Sequence, residues 1–530
     1  MTRVSFCLTC AALAASVCAP VAAQTSVAHT ALEGATARSV AEGRATRAFQ
    51  GAVAEGPLTL RAFLDQFPKG ADLHVHLGGA VYAETFIKDA GEDGICVDPK
   101  TLSFARPPCT APLVSAKNLS GVLTPAEQDL YDELVDSFSM RSYVPTKSFS
   151  GHDQFFSTFD RLSELSNTHT GEWVDEVASR AADQNQQYLE LMETPSFGRA
   201  IALAHANPLD MDFARYREAL LAAELRDDVA ADRAEAKDAE AKRREMEHCG
   251  TAEAAPACKV TVRYLYQVLR GNAPEQVFAQ TLLGFETVKA AMEAHDDTWT
   301  GINFVMAEDG YVSMRDYTLQ MKMLDYLHGE YPEVHISLHA GELAPGLVPP
   351  EGLRFHIRQA VELGHAERIG HGVDVMDETD AQGLLKEMAQ RHVMVEINLS
   401  SNEGILGIKG EEHPFPIYRE AHVPVALSTD DEGVSRIDLT HEYVRAVMDY
   451  HLGYVDMKQM ARTGIAHSFL QGEDLWAAPD VFTAVAAPCR GQIPGADTMS
   501  PACKTFLDGS QKAAEEWELE RRFRVFEAKF

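Results

Sequence analysis

Short apolar runs alternate with longer amphipathic stretches along most of this chain, and this alternation constrains the fold more than any other feature. Eight runs are mostly apolar and rich in β-branched residues, as buried parallel strands are. They span residues 71–76, 187–192, 260–268, 301–306, 335–339, 368–373, 393–399 and 423–428. Helical patterns such as residues 314–329 and 353–363 separate most of them. A strand followed by a helix, repeated eight times, predicts a (β/α)8 barrel of the TIM type.

The chain of 530 residues has room for one barrel with insertions, or for two ordinary domains. We predict a signal peptide at 1–23, a mobile segment or poorly ordered helix at 24–58, and a single barrel domain at 59–530. Two insertions, at about 77–186 and 196–258, interrupt the barrel pattern. Residues 216–248 are dense in Ala and charged side chains, which predicts a long solvated helix or half of a helical hairpin. A homodimerisation element is the alternative for this segment.

The N-terminus is typical of a secretory signal. Arg3 supplies a positive charge, an apolar stretch covers residues 4–21, and Val21-Ala22-Ala23 offers small residues for cleavage. A membrane anchor and a lipoprotein processed at Cys18 are the alternatives. The prediction is a periplasmic or secreted protein with no membrane association after cleavage.

Cysteine usage agrees with export. Three of the nine cysteines lie in the signal segment, and six remain: Cys96, Cys109, Cys249, Cys258, Cys489 and Cys503. Six cysteines allow fifteen pairings. The simplest hypothesis for an oxidising compartment pairs neighbours, which gives Cys96–Cys109, Cys249–Cys258 and Cys489–Cys503. Free or metal-binding thiols are the alternative, although no C-x-x-C spacing supports metal binding.

The charge balance excludes some partners. Lys and Arg number 47 against 79 Asp and Glu, so the net charge is −32. A surface this acidic repels phosphate backbones and anionic lipids, so we expect neither nucleic acid nor a membrane surface as a partner.

Candidate metal ligands lie where predicted strands end. His74 and His76 are two positions apart, so a strand directs both imidazoles to the same face, into the mouth of the barrel. His339 ends another run, and Gly341 allows the tight turn that brings Glu342 over the mouth. Neutral imidazoles that converge in this way can bind zinc.

Two more clusters repeat the arrangement. His371 lies between two glycines at a strand end, and Asp430 and Asp431 follow the last predicted strand. In isolation the two acids are as consistent with the start of a helix. Barrel enzymes assemble their sites at the carboxyl ends of the strands, so the four clusters together predict a metal-dependent active site.

With these motifs the sequence resembles the adenosine deaminase family over roughly residues 60–475, especially its longer, secreted members. The matching motifs are His-x-His-Leu-x-Gly at 74–79, His-Ala-Gly-Glu at 339–342, Ile-Gly-His-Gly at 369–372, Ser-Ser-Asn at 400–402 and Thr-Asp-Asp at 429–431. The resemblance implies that one Zn²⁺ per chain is bound by His74, His76, His339 and Asp430. It also implies roles for three catalytic residues: His371 orients the attacking water and accepts its proton, Glu342 protonates purine N1, and Asp431 contacts N7.

Departures from the family pattern concern the substrate. Gly78 stands where the family often has an acid that contacts the ribose 5′-hydroxyl. Met306 replaces a glycine that approaches N3 of the base. Candidate substrate-binding residues are therefore Gly78, Met306, Gly341 and Asp431.

Four further residues have two interpretations each. Glu190 and Glu396, on strands, either orient a ligating histidine or form a buried ion pair. Asn402 lines the pocket or caps a helix. His413 belongs to a family loop motif or lies at the surface.

Three functions remain open at this point. The first is hydrolytic deamination of adenosine or 2′-deoxyadenosine, with a small purine nucleoside as the partner. The second keeps the zinc and the barrel but acts on another aminated purine or a modified nucleoside. The third is a secreted signalling or binding protein without essential turnover, which has no need of both Glu342 and His371.

Overall fold

Eight parallel strands form a barrel at the centre of the computed structural model, which describes residues 40–209 and 212–530. We number the strands β1 (Gly70–His76), β2 (Gln186–Glu193), β3 (Thr261–Leu269), β4 (Trp299–Val305), β5 (His335–Ala340), β6 (Arg368–His371), β7 (Met394–Ile397) and β8 (Val425–Leu427). Each strand pairs in parallel with the next one in chain order. The predicted fold class and its eight strands are confirmed.

The barrel closes between β8 and β1 through the Thr-Asp-Asp motif. The Asp430 N–H donates to the carbonyl of His74 at 2.8 Å, and the His76 N–H donates to the carbonyl of Asp430 at 3.3 Å. The buried carboxyl of Asp72 accepts hydrogen bonds from the backbone and the hydroxyl of Thr429, at 3.2 and 2.8 Å. The closure therefore fixes Asp430 beside the two histidines of β1.

Helices surround the barrel and fill its insertions. Residues 40–55 are helical. The other helices are Pro57–Asp65, Leu77–Ala80, Ala83–Glu92, Pro125–Ser137, Gly151–Leu162, Thr170–Asp183, Gly198–Ala206, Phe213–Ala222, Val229–Met246, Pro274–Glu293, Tyr311–Glu330, His356–Glu362, Ala381–Arg391, Leu399–Leu406, Phe415–Glu420, Glu432–Ser435, Leu439–Tyr450, Tyr454–Ala466, Pro501–Asp508 and Gln511–Glu527. Within the described ranges, no helix is both long and apolar enough to cross a membrane.

The first insertion contains a small sheet that the sequence did not indicate. Its antiparallel strands are Cys96–Asp98, Ser103–Ala105 and Val114–Ser115. Strands of two or three residues are too short to show a periodicity. The helix Gly151–Leu162 follows in the same insertion and begins with a capping box, in which Ser150 and Asp153 satisfy each other's backbone N–H groups.

The charge-rich part of the second insertion, predicted as a long solvated helix or half of a helical hairpin, is not a single solvated helix. It forms two helices, Phe213–Ala222 and Val229–Met246, and Glu224 between them adopts a φ of 67°. The second helix buries Ala236, Ala239 and Arg243. Its small residues allow close packing against the helix Thr170–Asp183, so one face is not solvated.

Residues 40–55, in the described part of the segment predicted at 24–58, form a helix that packs on the core. Within residues 40–55, Ala45, Phe49 and Ala52 lie on one face of a helix and are buried in the core. The predicted signal peptide, with its three cysteines, lies outside the described residues.

The three predicted local disulfides are present: Cys96–Cys109, Cys249–Cys258 and Cys489–Cys503. The last of them lies in a separate apolar cluster formed by residues after the final barrel helix, with Leu475, Trp476 and Trp517. Trp476 and Phe482 of this cluster line a cavity together with His335 and Arg368, the first residues of β5 and β6, so the cluster packs at the end of the barrel opposite the predicted site.

Candidate active site

Five predicted residues converge at the carboxyl ends of the strands. We call them the histidine–aspartate cluster: His74, His76, His339, His371 and Asp430. All are buried or nearly so. His371 and Asp430 have positive φ angles of 72° and 61°, a left-handed backbone conformation that non-glycine residues adopt infrequently.

Three of the four imidazoles use Nδ1 in the same way. Each donates its Nδ1–H to a side-chain oxygen on another strand: His74 to Glu396 at 2.6 Å, His76 to Gln267 at 2.6 Å, and His339 to Asn303 at 2.7 Å. A neutral imidazole with its proton on Nδ1 presents a lone pair at Nε2. The three Nε2 lone pairs therefore point towards a common centre.

The distances around that centre fit a metal ion. The Nε2 atoms of His76 and His339 are 3.1 Å apart, and Oδ1 of Asp430 is 3.2 Å from His76 Nε2 and 3.5 Å from His74 Nε2. A tetrahedral zinc site with bonds of ~2.0–2.1 Å places its ligand atoms about 3.3 Å apart. His74 Nε2 is buried without a hydrogen-bond partner, which is costly for a protein atom unless it binds something else.

A buried ion pair supports the cluster from inside the barrel. Arg368 lies between Glu396 and Glu190, with N···O distances of 2.7 and 2.6 Å. Its charge keeps the pKa of Glu396 below the ordinary value although burial opposes ionisation. Glu396 therefore has both proposed roles, partner of His74 and member of an ion pair. Glu190 belongs to the ion pair and accepts hydrogen bonds from Tyr188 and the backbone of Phe469.

His371 differs from the other three histidines. Its Nδ1 faces amide nitrogens, 2.9 Å from Asn402 and 3.4 Å from Asn398. Its Nε2 lies 4.0 Å from Oδ2 of Asp430, whereas Nε2 of His76 and Nε2 of His74 lie 3.2 and 3.5 Å from Oδ1 of that carboxylate. His371 is thus placed beside the metal-binding geometry, with its Nε2 towards the cavity.

Glu342 is held over the mouth by a second carboxylate, Glu308. The Oε2 of Glu308 accepts the Glu342 N–H at 2.8 Å, and its Oε1 accepts the Gly341 N–H at 3.1 Å. His356 donates to the same Oε1 at 2.6 Å. Burial, with the charges of Asp430 and Glu308 nearby, raises the pKa of Glu342 well above its ordinary value. Glu342 is therefore suited to carry a proton near neutral pH.

Asp430 and Asp431 are adjacent, but their environments differ. Contacts with His74 and His76 lower the pKa of Asp430 although burial opposes its ionisation, whereas burial raises the pKa of Asp431 to about 8. The carboxyl of Asp431 occupies the space beside Gly79, where a Cβ would lie 1.5 Å from its Oδ1. Gly79 therefore leaves room for this acid at the mouth.

A cavity of about 500 Å³ opens onto these residues. One side is a group of aromatic side chains, which we call the aromatic wall: Phe155, Phe156, Phe159 and Trp173. The three phenylalanines belong to the insertion helix Gly151–Leu162. Among the described residues, no Lys or Arg lines the cavity.

The predicted substrate-binding residues are placed unequally. Gly78, Met306 and Asp431 line the cavity. Met306 adopts a φ of 89° and is 44% exposed. Gly341 faces away from the lining, since a Cβ there would collide with Asp374 and Ile357, and its φ of 75° serves the turn before Glu342.

Several residues at the site were not identified from the sequence. Gln267 and Asn303 orient ligating histidines, and only their inward position near strand ends could have indicated them. The aromatic wall had no signal beyond a Phe-rich helix. His413 is only 2% exposed and contacts Asn402 at 3.0 Å, so the alternative of a surface role was wrong.

Comparison with known proteins agrees with this geometry. A sequence model of the adenosine deaminase family matches residues 231–477, which contain Met306 and all the predicted site residues from His339 onwards. An adenosine deaminase from Clostridium perfringens is 34% identical over 139 residues, which is 26% of this chain and 39% of that protein. One from Enterococcus faecalis is 31% identical over 184 residues, which is 34% of this chain and 50% of that protein. The chain thus matches half or less of the length of these relatives.

A solved structure has the same fold. An amidohydrolase from Burkholderia ambifaria, described with bound zinc, aligns over 78% of this chain and 88% of its own, with a TM-score of 0.50 and 19% identity. At this identity the similarity supports the barrel fold alone. The first-strand histidines, His74 and His76, lie outside the segment matched by the family model, so the structure alone brings them to the site.

Proposed function

Because this chain belongs to the adenosine deaminase family, we propose that it is a zinc-dependent hydrolase that deaminates adenosine or 2′-deoxyadenosine. The products are inosine or 2′-deoxyinosine and ammonia. One observation carries the proposal: three Nε2 lone pairs and the Asp430 carboxylate converge beside Glu342 at the end of a cavity.

His74, His76, His339 and Asp430 would hold one zinc ion, because zinc favours such nitrogen and oxygen ligands and three of the distances between their ligand atoms, 3.1, 3.2 and 3.5 Å, are close to tetrahedral spacing. Zinc in such a site supplies Lewis acidity that makes water nucleophilic near neutral pH. Glu396, Gln267 and Asn303 orient the imidazoles for this purpose.

The remaining residues act on the purine. Glu342 gives its proton to N1 as the oxygen of water bonds to C6, so that the ring electrons can move onto N1. Asp431, whose raised pKa favours the protonated form, donates a hydrogen bond to N7. The attacking water loses one proton, which the amino nitrogen takes up as its bond to C6 breaks and ammonia leaves. The proton that remains on the C6 hydroxyl returns to Glu342 as the carbonyl forms.

The residues that line the cavity favour a nucleoside over a nucleotide as the substrate. Phe155, Phe156 and Phe159 offer flat apolar surface for a base and a sugar. The lining includes Asp160 and Glu193 but no Lys or Arg among the described residues, so a phosphate would meet acids and no cation.

A second candidate keeps the reaction and changes the substrate to another aminated purine or a modified nucleoside. Met306 and Gly78 favour it, because both line the cavity and both depart from the family pattern. Export to the periplasm or the medium is proposed on the signal-like N-terminus, and the three disulfides are consistent with it.

The test is ammonia release by the purified protein with adenosine, with and without a zinc chelator. We expect rapid release that the chelator abolishes and added zinc restores. A folded, zinc-loaded sample that releases no ammonia from adenosine would contradict the first candidate. A panel of aminated purines, including N6-substituted nucleosides, then tests the second.

A further inference from the structure

Asn402 and His413 form a buried series of hydrogen bonds that leads to His371 and that the proposed reaction does not use. Asn402 lies in the helix Leu399–Leu406, and His413 lies in the loop before the helix Phe415–Glu420. Asn402 and His371 are fully buried, and His413 is 2% exposed. This series of hydrogen bonds ends at Nδ1 of the His371 ring.

The order of donors and acceptors begins at a backbone amide, whose role is fixed. The Phe415 N–H can only donate, and it lies 3.1 Å from His413 Nδ1, so that nitrogen accepts. Burial lowers the pKa of His413 to about 3, so the ring is neutral and its one N–H is on Nε2. This N–H donates to Oδ1 of Asn402 at 3.0 Å.

The amide of Asn402 is thereby oriented. Its oxygen faces His413, so its NH2 group faces His371, with Nδ2 2.9 Å from Nδ1. Nδ2 of Asn398 approaches the same atom at 3.4 Å. Amide nitrogens donate and do not accept, so Nδ1 of His371 is an acceptor.

The charged and titratable neighbours of His371 are Glu342, whose Oε1 is 3.6 Å from Nδ1, and Asp430, whose Oδ2 is 4.0 Å from Nε2. Both distances exceed hydrogen-bond length.

We propose that Asn402 and His413 are positioning residues that hold His371 in the tautomer with its proton on Nε2, so that His371 donates a hydrogen bond into the cavity. The three imidazoles paired with Glu396, Gln267 and Asn303 have the opposite tautomer, with Nε2 lone pairs free for a metal. The hydrogen bond at Nδ1 thus decides the role of each imidazole: three are metal ligands, and His371 is a hydrogen-bond donor. This differs from the expectation that His371 accepts the proton of the attacking water.

The catalytic consequence rests on the proposed function, but the tautomer does not. The wild-type protein, labelled with ¹⁵N-histidine and loaded with zinc, is examined by long-range ¹H–¹⁵N NMR. His371→Gln identifies the His371 signals. We expect a protonated Nε2 and an unprotonated Nδ1 for His371. A protonated Nδ1 in the wild-type spectrum overturns the proposal, whatever the enzymatic activity.

Asn402→Asp is the decisive variant. A carboxylate can only accept, so it still receives the His413 N–H but requires the His371 proton to move to Nδ1. We expect the reversed tautomer in the spectrum and a fall in kcat of about 100-fold with little change in KM. Asn207→Asp makes the same chemical change at a residue whose side chain donates to the carbonyl of Leu203 in its own helix, and it should alter neither the His371 tautomer nor kcat.

The outcomes separate the two proposals. A tautomer that reverses in N402D, in a protein inactive towards every purine tested, supports the positioning role and contradicts the proposed function. Full activity in N402D with a reversed tautomer contradicts the catalytic importance of the donor. If N402D does not fold, His413→Phe removes the outer donor and should give a mixture of both His371 tautomers. A His371 signal unchanged in that variant overturns the role of His413.

Discussion

The histidine–aspartate cluster and the aromatic wall face each other across one cavity, and they are built in different ways. The cluster comes from the ends of barrel strands, and its imidazoles have partners on other strands and on the helix Leu399–Leu406 at 2.6–2.9 Å. Most of the wall comes from one insertion helix, and Phe156 and Phe159 are only partly buried. We infer that the strand ends determine the reaction, whereas the insertion determines which purine fits.

Removing a ligand of the cluster should give the largest effect. His339→Ala leaves three ligands, so we expect loss of stoichiometric zinc and a fall in kcat/KM of about 1,000-fold or more. Metal analysis of the purified variant, beside wild type, measures the first effect. Wild-type zinc content in H339A would remove this residue from the ligand set.

Glu342→Gln tests the proton donor beside the histidine–aspartate cluster and leaves all four metal ligands in place. The amide cannot give a proton to N1, so kcat should fall by about 100- to 10,000-fold while zinc is retained. In the wild type, burial raises the pKa of Glu342, so its protonated form persists to higher pH. Activity should therefore be lost as pH rises through that raised pKa. Near-normal turnover in E342Q would contradict the role of proton donor.

Glu308 should matter less, because it acts through the backbone. Glu308→Gln loses one of two acceptors that hold the N–H groups of Gly341 and Glu342. We expect kcat to fall about 10- to 100-fold with zinc content unchanged. Glu378→Gln is a matched control, because Glu378 is also buried but accepts the N–H of Arg358 instead. Equal losses in both variants would show a general effect of charge removal.

The two sides of the cavity also differ in how far the sequence predicted them. His74, His76, His339 and Asp430 follow from strand ends, because alternation in a strand and barrel geometry fix where such residues point. Phe156 could not be predicted, since it lies about eighty residues after His74 and no local pattern specifies where an insertion helix packs.

Two further differences between the sequence predictions and the structure have the same origin. A histidine before a proline in a loop is usually exposed, but the chain turns back at Phe415 and buries His413 against Asn402. Residues 40–55 look weakly periodic, but Phe49 packs near Phe63 and Tyr454, which are distant in sequence. Tertiary contacts, not local propensity, decide both cases.

Phe156→Ala tests the wall directly. The ring lines the cavity and packs against His152, so its loss removes apolar contact with the bound substrate. We expect KM to rise about tenfold, equivalent to about 1.4 kcal/mol, with kcat nearly unchanged. Steady-state kinetics with adenosine measures KM and kcat separately. A fall in kcat with constant KM would instead assign the wall to the chemical step.

Met306 should give the smallest effect, and two substitutions separate its backbone from its side chain. Its φ of 89° is one that glycine adopts without cost. Met306→Ala removes the side chain but keeps the backbone strain, whereas Met306→Gly removes both. We expect M306G to be about 1 kcal/mol more stable than M306A in denaturant unfolding, after the greater flexibility of glycine in the unfolded chain is counted. Both should change the ranking of purine substrates alike, because the side chain is lost from the cavity lining in each. A ranking that changes in M306G alone would place specificity in the backbone at this position, not in the methionine side chain.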